Sequence, residues 1–325
     1  MTFASPSPAR AAWALFFAVA IPTLVLRRCL RRRRRTILVQ QIGERVLILG
    51  GSSGIGRAIS LQYAQRGAKL FIVGLRQSEV DSTSAECAQL HPGEGNVIAR
   101  AADFTNVDVM VEIRQQLKEV WDGVDTILVC AGVSATRPLL EVAGVSRDGQ
   151  GPREASSEGI RNAIEVSNAA MRTNFTGPLV SAVTFIPLLE SSSASPAILL
   201  IASLASVVPA PTRSLYCSTK SASLVLYQSL AIEHPKISFT FALPATVEGN
   251  FRASAVDGAG KAEPPPKRAL KREVVATRCI SAIDNGEKVF FLPTLYGRLG
   301  HLMYWLAPAV TEWFAARKYG FAHKA

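Results

Sequence analysis

The sequence has little that could bind a metal or cross-link the chain. Its five cysteines (Cys29, Cys87, Cys130, Cys217, Cys279) are dispersed, with neither pairing nor ligand spacing. An odd, scattered set in a chain with ample core reads as reduced thiols. The four histidines (His91, His234, His301, His323) show no ligand spacing either, so no metal is expected. Acidic residues are missing altogether before Glu44. Over that stretch Arg10, Arg27, Arg28 and Arg31 to Arg35 carry eight of the net +11 charges, leaving +3 for the rest. A remainder of that size is ordinary for a globular domain, and no nucleic-acid partner is expected.

What the N-terminus does contain is an uncharged apolar run from Ala11 to Leu26, 16 residues long. As a helix it would reach about 24 Å, against ~30 Å for a bilayer core, with snorkelling arginines to supply the difference. Pro22 is tolerable in a membrane helix and costly in a soluble one. The positive block Arg27 to Arg35 follows the apolar run, and no small-residue cleavage site succeeds it, which speaks against a cleaved secretory signal. The pattern predicts an N-terminal transmembrane anchor over residues 1–43. Its arginine collar and all that follows would face the cytosol. The endoplasmic reticulum membrane is the expected location, with the mitochondrial outer membrane as the alternative.

From Arg45 the pattern changes. Arg45 to Leu49 is an aliphatic run suited to a buried parallel strand. It leads into Gly50-Gly51-Ser52-Ser53-Gly54-Ile55-Gly56 and then a helical stretch from Arg57 to Gly67. Strand, glycine-rich turn and helix together form a phosphate cradle, because glycine admits close backbone approach and a helix N-terminus offers unpaired N–H donors. A second strand, Lys69 to Gly74, ends at Leu75 and Arg76. A carboxylate there would suit a free ribose hydroxyl, whereas an arginine suits a 2′-phosphate. No acid occupies that end and both Arg76 and Arg57 are available, so NADP(H) is expected over NAD(H). Asp103, after a third apolar stretch (Asn96 to Ala101), is placed to accept from the adenine amino group. A fourth, Ile127 to Val129, leads to Cys130-Ala131-Gly132. Strands alternating with helices predict an α/β fold with a doubly wound parallel sheet of Rossmann type, in a single domain over residues 44–293.

Ala197 to Ala202 is a further strand with Ser203 at its end, where ligands of open α/β sheets bind. Tyr216 follows, and Lys220 lies four residues later, one helical turn away on the same face. Hydride transfer to a carbonyl needs a proton donor for the developing alkoxide. A phenol titrating near ~10 becomes useful when a neighbouring ammonium favours its phenolate. Ser203 can hold the substrate oxygen and Lys220 the cofactor ribose.

At this point the chain resembles the short-chain dehydrogenase/reductase family, from about Arg45 to about Gly249. Gly50 to Gly56 looks like the family's cofactor turn, Cys130-Ala131-Gly132 its strand-four motif, and Ser203 with Tyr216-x-x-x-Lys220 its serine and Tyr–Lys pair. Asn174 with Gly177 resembles the asparagine motif, whose backbone holds a water linked to the lysine. The resemblance implies Asn174, Ser203, Tyr216 and Lys220 as catalytic residues. It implies cofactor contacts at Gly50, Ser52, Ser53, Ile55, Gly56, Arg57, Arg76, Asp103, Tyr216, Lys220 and Val247. Leu49, Val129-Cys130, Pro244-Ala245 and Gly249 depart from the family's usual residues.

Residues 144–159 read as an inserted surface loop, and about 250–271, with Pro264-Pro265-Pro266, occupies the place of a substrate lid. Arg268 to Ala282 reads as a helix and Lys288 to Leu292 as a short strand. Residues 294–325 form a C-terminal extension whose large apolar residues, Tyr296 to Phe314, predict a membrane-associated amphipathic helix. A homodimer interface or an intramolecular helix is the alternative. Members with such features act on sterols, sphingoid ketones and other lipophilic carbonyls. The expected function is therefore ketone–alcohol interconversion on a lipophilic small molecule at a membrane. A catalytically idle NADP(H)-binding scaffold is the competing reading.

Overall fold

Aliphatic runs without polar alternation form strands covered on both faces, and helices alternate with them along the chain. The computed structural model describes residues 35–146, 151–258 and 269–321, with 13, 16, 18–20, 22 and 23 near the N-terminus. The first half runs β1 (Arg45–Leu49), α1 (Gly54–Gln65), β2 (Lys69–Gly74), α2 (Gln77–Leu90), β3 (Val97–Ala101), α3 (Val107–Trp121) and β4 (Thr126–Val129). A helical turn, Leu139–Val142, precedes α4 (Ser157–Met171), a π-helical turn (Arg172–Thr176) and α5 (Gly177–Ser192). Next come β5 (Ala197–Ile201), α6 (Ser214–Glu233), β6 (Ser238–Pro244), α7 (Arg272–Asp284), β7 (Val289–Leu292), α8 (Thr294–Leu306) and α9 (Pro308–Lys318).

The strands form one sheet in the order β3-β2-β1-β4-β5-β6-β7, every neighbouring pair parallel. The chain winds outward from β1 in one direction and from β4 in the other. That reversal opens a crevice beyond the carboxyl ends of these two strands, the usual ligand position in such sheets. Two cores cover the sheet. On one face Met110, Ile113 and Leu117 of α3 meet Phe185 and Leu189 of α5 and Tyr227 of α6. On the other, Ile59 and Tyr63 of α1 meet Cys87 of α2 and Val275, Cys279 and Ile283 of α7. Helix α3 shows why local sequence and packing agree. Its buried residues recur at helical spacing, Asn106 caps it by accepting from the Val109 amide at 3.2 Å, and Asp122 ends it at φ +55°.

The expected transmembrane anchor is corrected. Among the described residues no helix is long and apolar enough to cross a membrane. Most of Ala11 to Leu26 lies outside the described residues. The collar is corrected at its last member. Arg35 opens a helical turn (35–38) and is only 4% exposed. Its guanidinium donates to Glu44 at 3.0 Å and to the Thr126 hydroxyl at 2.6 Å, and Arg66 pairs with both Glu44 and Asp284. This cluster lies at the amino ends of the strands, opposite the crevice.

Two other expectations change. Helix α4 begins at Ser157, inside the expected loop 144–159, because Ser156 caps it by accepting from the Gly159 amide at 3.1 Å. The C-terminal apolar stretch is two short helices. Pro308 lacks an N–H and forces Ala307 out of the helical region, which ends α8 and starts α9. Helix α8 docks on β7, where a Cβ on Gly297 would meet that of Phe291 at 2.6 Å and His301 stacks on the Phe291 ring at 6.0 Å. The expected single amphipathic helix is thus a pair of short helices at the sheet's β7 edge.

Candidate active site

The turn after β1 admits only glycine at two points. Gly50 has a φ of +84°, and a Cβ there would come within 2.5 Å of the Ala131 nitrogen. A Cβ on Gly56 would run into the Gly50 carbonyl. The close approach seats α1 directly behind the turn. The Gly50 and Gly51 amides both donate to the Val73 carbonyl, at 2.8 and 3.0 Å, which joins the turn to β2. Ser52 is buried, and its carbonyl accepts from Thr83 at 3.1 Å. Ser53 occupies the cap position of α1 without a side-chain cap bond, and no acid sits in the first turn. The first-turn amides and the positive end of a 12-residue helix therefore face the crevice uncompensated. Ile55 packs behind them on the α1–α2–α7 side. This cradle fits a dinucleotide pyrophosphate.

On the adenosine side the arginines are engaged by carboxylates. Arg57 turns to Glu86 of α2, at 2.6 Å. Arg76, 62% exposed, pairs with Glu79 one helical turn on. Asp103 accepts from the Thr105 amide and hydroxyl at 2.9 and 2.8 Å and pairs with Arg172 at 2.9 Å. Burial raises its carboxyl pKa, but the Thr105 bonds and Arg172 outweigh that and hold it below the ordinary value. On the opposite side Val247 forms an isolated parallel bridge with Leu270, closing the neck of the segment between them.

The remaining predicted residues converge at the carboxyl ends of β4 and β5. Ser203 lies two residues past the end of β5 and does two things. Its hydroxyl accepts from the Ala205 amide at 3.1 Å, capping the turn Leu204–Ser206, and it hydrogen-bonds the Tyr216 hydroxyl. Tyr216 and Lys220 lie one turn apart on α6, both buried. Lys220 Nζ donates to the Ile201 carbonyl at 3.0 Å. Asn174 sits in the π-helical turn, where a register shift re-aims backbone groups. Its amide oxygen accepts from the Val133 amide at 2.8 Å, and its amide nitrogen donates to the Val133 carbonyl and the Thr219 hydroxyl, each at 3.0 Å. A Cβ on Gly132 would lie 3.0 Å from the Asn174 amide oxygen and 3.1 Å from Lys220 Nζ, so β4's exit, Asn174 and Lys220 meet at one point.

Burial sets the electrostatics. It lowers the Lys220 pKa from near 10.5 to about 8, opposed only by Cys130. It raises the Cys130 thiol to about 12 and the Tyr216 phenol above its ordinary value, the latter opposed by Arg213 and Ser203. The phenol is therefore protonated at neutral pH, next to an ammonium that loses its proton readily. Such an arrangement can deliver a proton to an oxygen held at Ser203.

Sequence reasoning missed three neighbours. Arg213 stacks on the Tyr216 ring, with its guanidinium carbon 4.3 Å from the centroid. Phe251 meets the same ring edge-on at 5.8 Å. Asp257 is buried and accepts from the Thr136 and Arg137 amides, 2.7 Å to the latter, which pins the first part of the expected lid across the crevice. Arg213 lies three residues before Tyr216, at the cap position just ahead of α6. Phe251 and Asp257 act through a long-range contact that no local pattern announces.

The sequence model of a family described as short chain dehydrogenase matches residues 44–259. The chain is 29% identical over 206 residues to an 11-beta-hydroxysteroid dehydrogenase-like 2 of Arabidopsis thaliana, covering 63% of this chain and 59% of that protein's length. It is 23% identical to a dehydrogenase/reductase SDR family protein 7-like of Anopheles gambiae, covering 94% of this chain and 92% of the other. Among solved structures it is similar to an alcohol dehydrogenase of Thermococcus sibiricus complexed with 5-hydroxy-NADP. The TM-score is 0.59 at 22% identity, over 76% of this chain and 94% of that one, a likeness of fold.

Proposed function

Because the chain belongs to the short chain dehydrogenase family, we propose that it interconverts a ketone and a secondary alcohol on a lipophilic small molecule, with NADP(H) as cofactor and Tyr216 as the acid–base. The observation that carries this reading is the meeting of Ser203, Tyr216 and Lys220, with Asn174, beside the glycine cradle. The catalytic unit spans about 44–293, and Gly50, Ser52, Ser53, Ile55, Gly56, Arg76, Asp103 and Val247 line the cofactor's path. Arg57 acts from behind, holding α1 to α2 through Glu86.

A bound nicotinamide dinucleotide supplies or accepts the hydride. The chain's own residues do the rest. The Ser203 hydroxyl holds the substrate oxygen beside Tyr216. In reduction the phenol gives its proton to that oxygen as negative charge develops there. In oxidation the phenolate removes the alcohol proton, and the ammonium of Lys220 stabilises that charge in a site where burial strengthens the interaction. Asn174 keeps Val133 and Thr219 in place around Lys220. Phe251 on the Tyr216 ring excludes water from the proton path.

The NADP(H) preference is supported by the acid-free end of β2 and by Arg76. The lipophilic substrate is supported by the apolar cover of Phe251 and by similarity to a protein named for hydroxysteroid chemistry. NADPH consumption with a panel of lipophilic ketones tests the reading. Tyr216→Phe is expected to lower kcat by roughly 10²–10⁴ with cofactor affinity retained. Cofactor binding without turnover, indifferent to Tyr216→Phe, would instead mark an idle scaffold.

A further inference from the structure

The crevice contains a cation that the reaction above does not use. Arg213 precedes α6, and its side chain lies between Tyr216 and the loop after β4. One amino group donates to the buried Ser134 hydroxyl at 3.1 Å, and Nε is buried without a hydrogen-bond partner. No carboxylate lies within ion-pair distance of it among the described residues. Several half-buried arginines of this chain are paired, Arg45 with Asp125 at 2.8 Å, Arg66 with Asp284 at 3.0 Å and Arg278 with Glu287 at 2.5 Å, whereas Arg213 faces the crevice beside Tyr216 with only a hydroxyl partner. The nearby acid, Asp257, is committed to the Thr136 and Arg137 amides. A guanidinium has five N–H donors in a planar fork that matches a carboxylate in two-point contact. A half-buried guanidinium without a carboxylate partner offers its remaining N–H donors to an incoming anion.

We propose that Arg213 selects the substrate by its charge: the crevice takes a carbonyl compound bearing a carboxylate a few bonds from the reacting carbon. This rests on the reading of Tyr216 as the acid–base, and it makes the substrate amphiphilic, with an apolar body under Phe251 and a carboxylate on Arg213. A lysine would not serve equally, because it offers a point charge where the site presents a fork stacked on a ring.

The test uses the full chain and two probes that differ by a charge and one methyl group: benzoylpropionate, an aryl oxo acid, and its methyl ester. Equilibrium dialysis with NADP⁺ as cofactor, which cannot reduce either probe, reads binding, and kcat and KM are measured for both with NADPH. The acid is expected to bind about tenfold more tightly than the ester, the effect of one well-placed charge pair. Arg213→Gln is expected to erase that difference by weakening the acid alone, and Arg213→Lys to restore only part of it. An acid that binds no better than its ester overturns the proposal, as does an Arg213→Gln that weakens both probes equally. A second outcome separates the two readings. If the acid binds through Arg213 but no ketone is turned over, substrate selection stands and the catalytic reading falls.

Discussion

Lys220 should make stability depend on pH in a direction opposite to the usual surface lysine. Burial lowers its pKa from near 10.5 to about 8. At about 1.4 kcal/mol per unit, keeping it charged costs the folded state about 3 kcal/mol at neutral pH. Below pH 8 the folded and unfolded chains both hold the proton, and the cost is borne in full. Between about 8 and 10.5 the unfolded chain holds more proton than the folded one, so wild-type stability rises with pH. Above 10.5 the cost is gone. Lys220→Met lacks the titrating group, and its loss of the bond to the Ile201 carbonyl is independent of pH. The wild type should therefore gain about 2 kcal/mol relative to Lys220→Met between about pH 7 and 9.5. Cys130, pushed to about 12, stays a thiol when folded and ionises in both unfolded chains alike, so it cancels in the difference. Urea unfolding followed by the fluorescence of Trp121, which is buried in the core, reads the free energies. A stability difference that stays flat across this range would refute the reasoning, because it would mean that the ammonium is solvated.

Three further outcomes follow from described contacts. Arg76→Ala should weaken NADPH about tenfold and leave NADH unchanged, and Glu79→Gln, which frees Arg76, should tighten NADPH, both read by direct titration. Asp257→Ala should raise KM and expose residues 250–258 to proteolysis. Asp257→Asn should be milder than Asp257→Ala, since an amide oxygen can still receive both amides. Glu44→Ala should cost about 3–5 kcal/mol in equilibrium unfolding, because it strips Arg35 of a buried countercharge; a loss below about 1 kcal/mol would contradict that.

The parts of this fold that were readable in the sequence are those where one local pattern does one job. β1 and β2 were readable to the residue, because unbroken aliphatic runs have no competing reading. The glycine turn and the Tyr216–Lys220 spacing were readable because backbone sterics and helix periodicity constrain them. β6 was not read: Ser238-Phe239-Thr240-Phe241 alternates polar with aromatic residues, the mark of a strand with one wet face, whereas the fold buries both faces of it between neighbours far off in sequence. Arg35 misled for a related reason. Five consecutive arginines look alike, and only Glu44 and Thr126, brought in by the fold, single out the last. Ser203 was legible as a substrate contact from its place after a strand. That its hydroxyl also caps the turn Leu204–Ser206 depends on the local backbone path, which the residue type alone does not give.

The burial of Arg35 also gives the molecule a front and a back. The residue is clamped to the start of β1 and β4, whereas Ser203, Tyr216 and the glycine cradle stand at the strands' far ends. Arg35 and the helical turn it opens therefore stand at the rear. A fluorophore, affinity handle or solid support attached there leaves the mouth of the crevice unobstructed. A chain trimmed to begin at Glu44 would look tidy on paper and yet lack the arginine that ties Glu44 to Thr126 at the rear of the sheet.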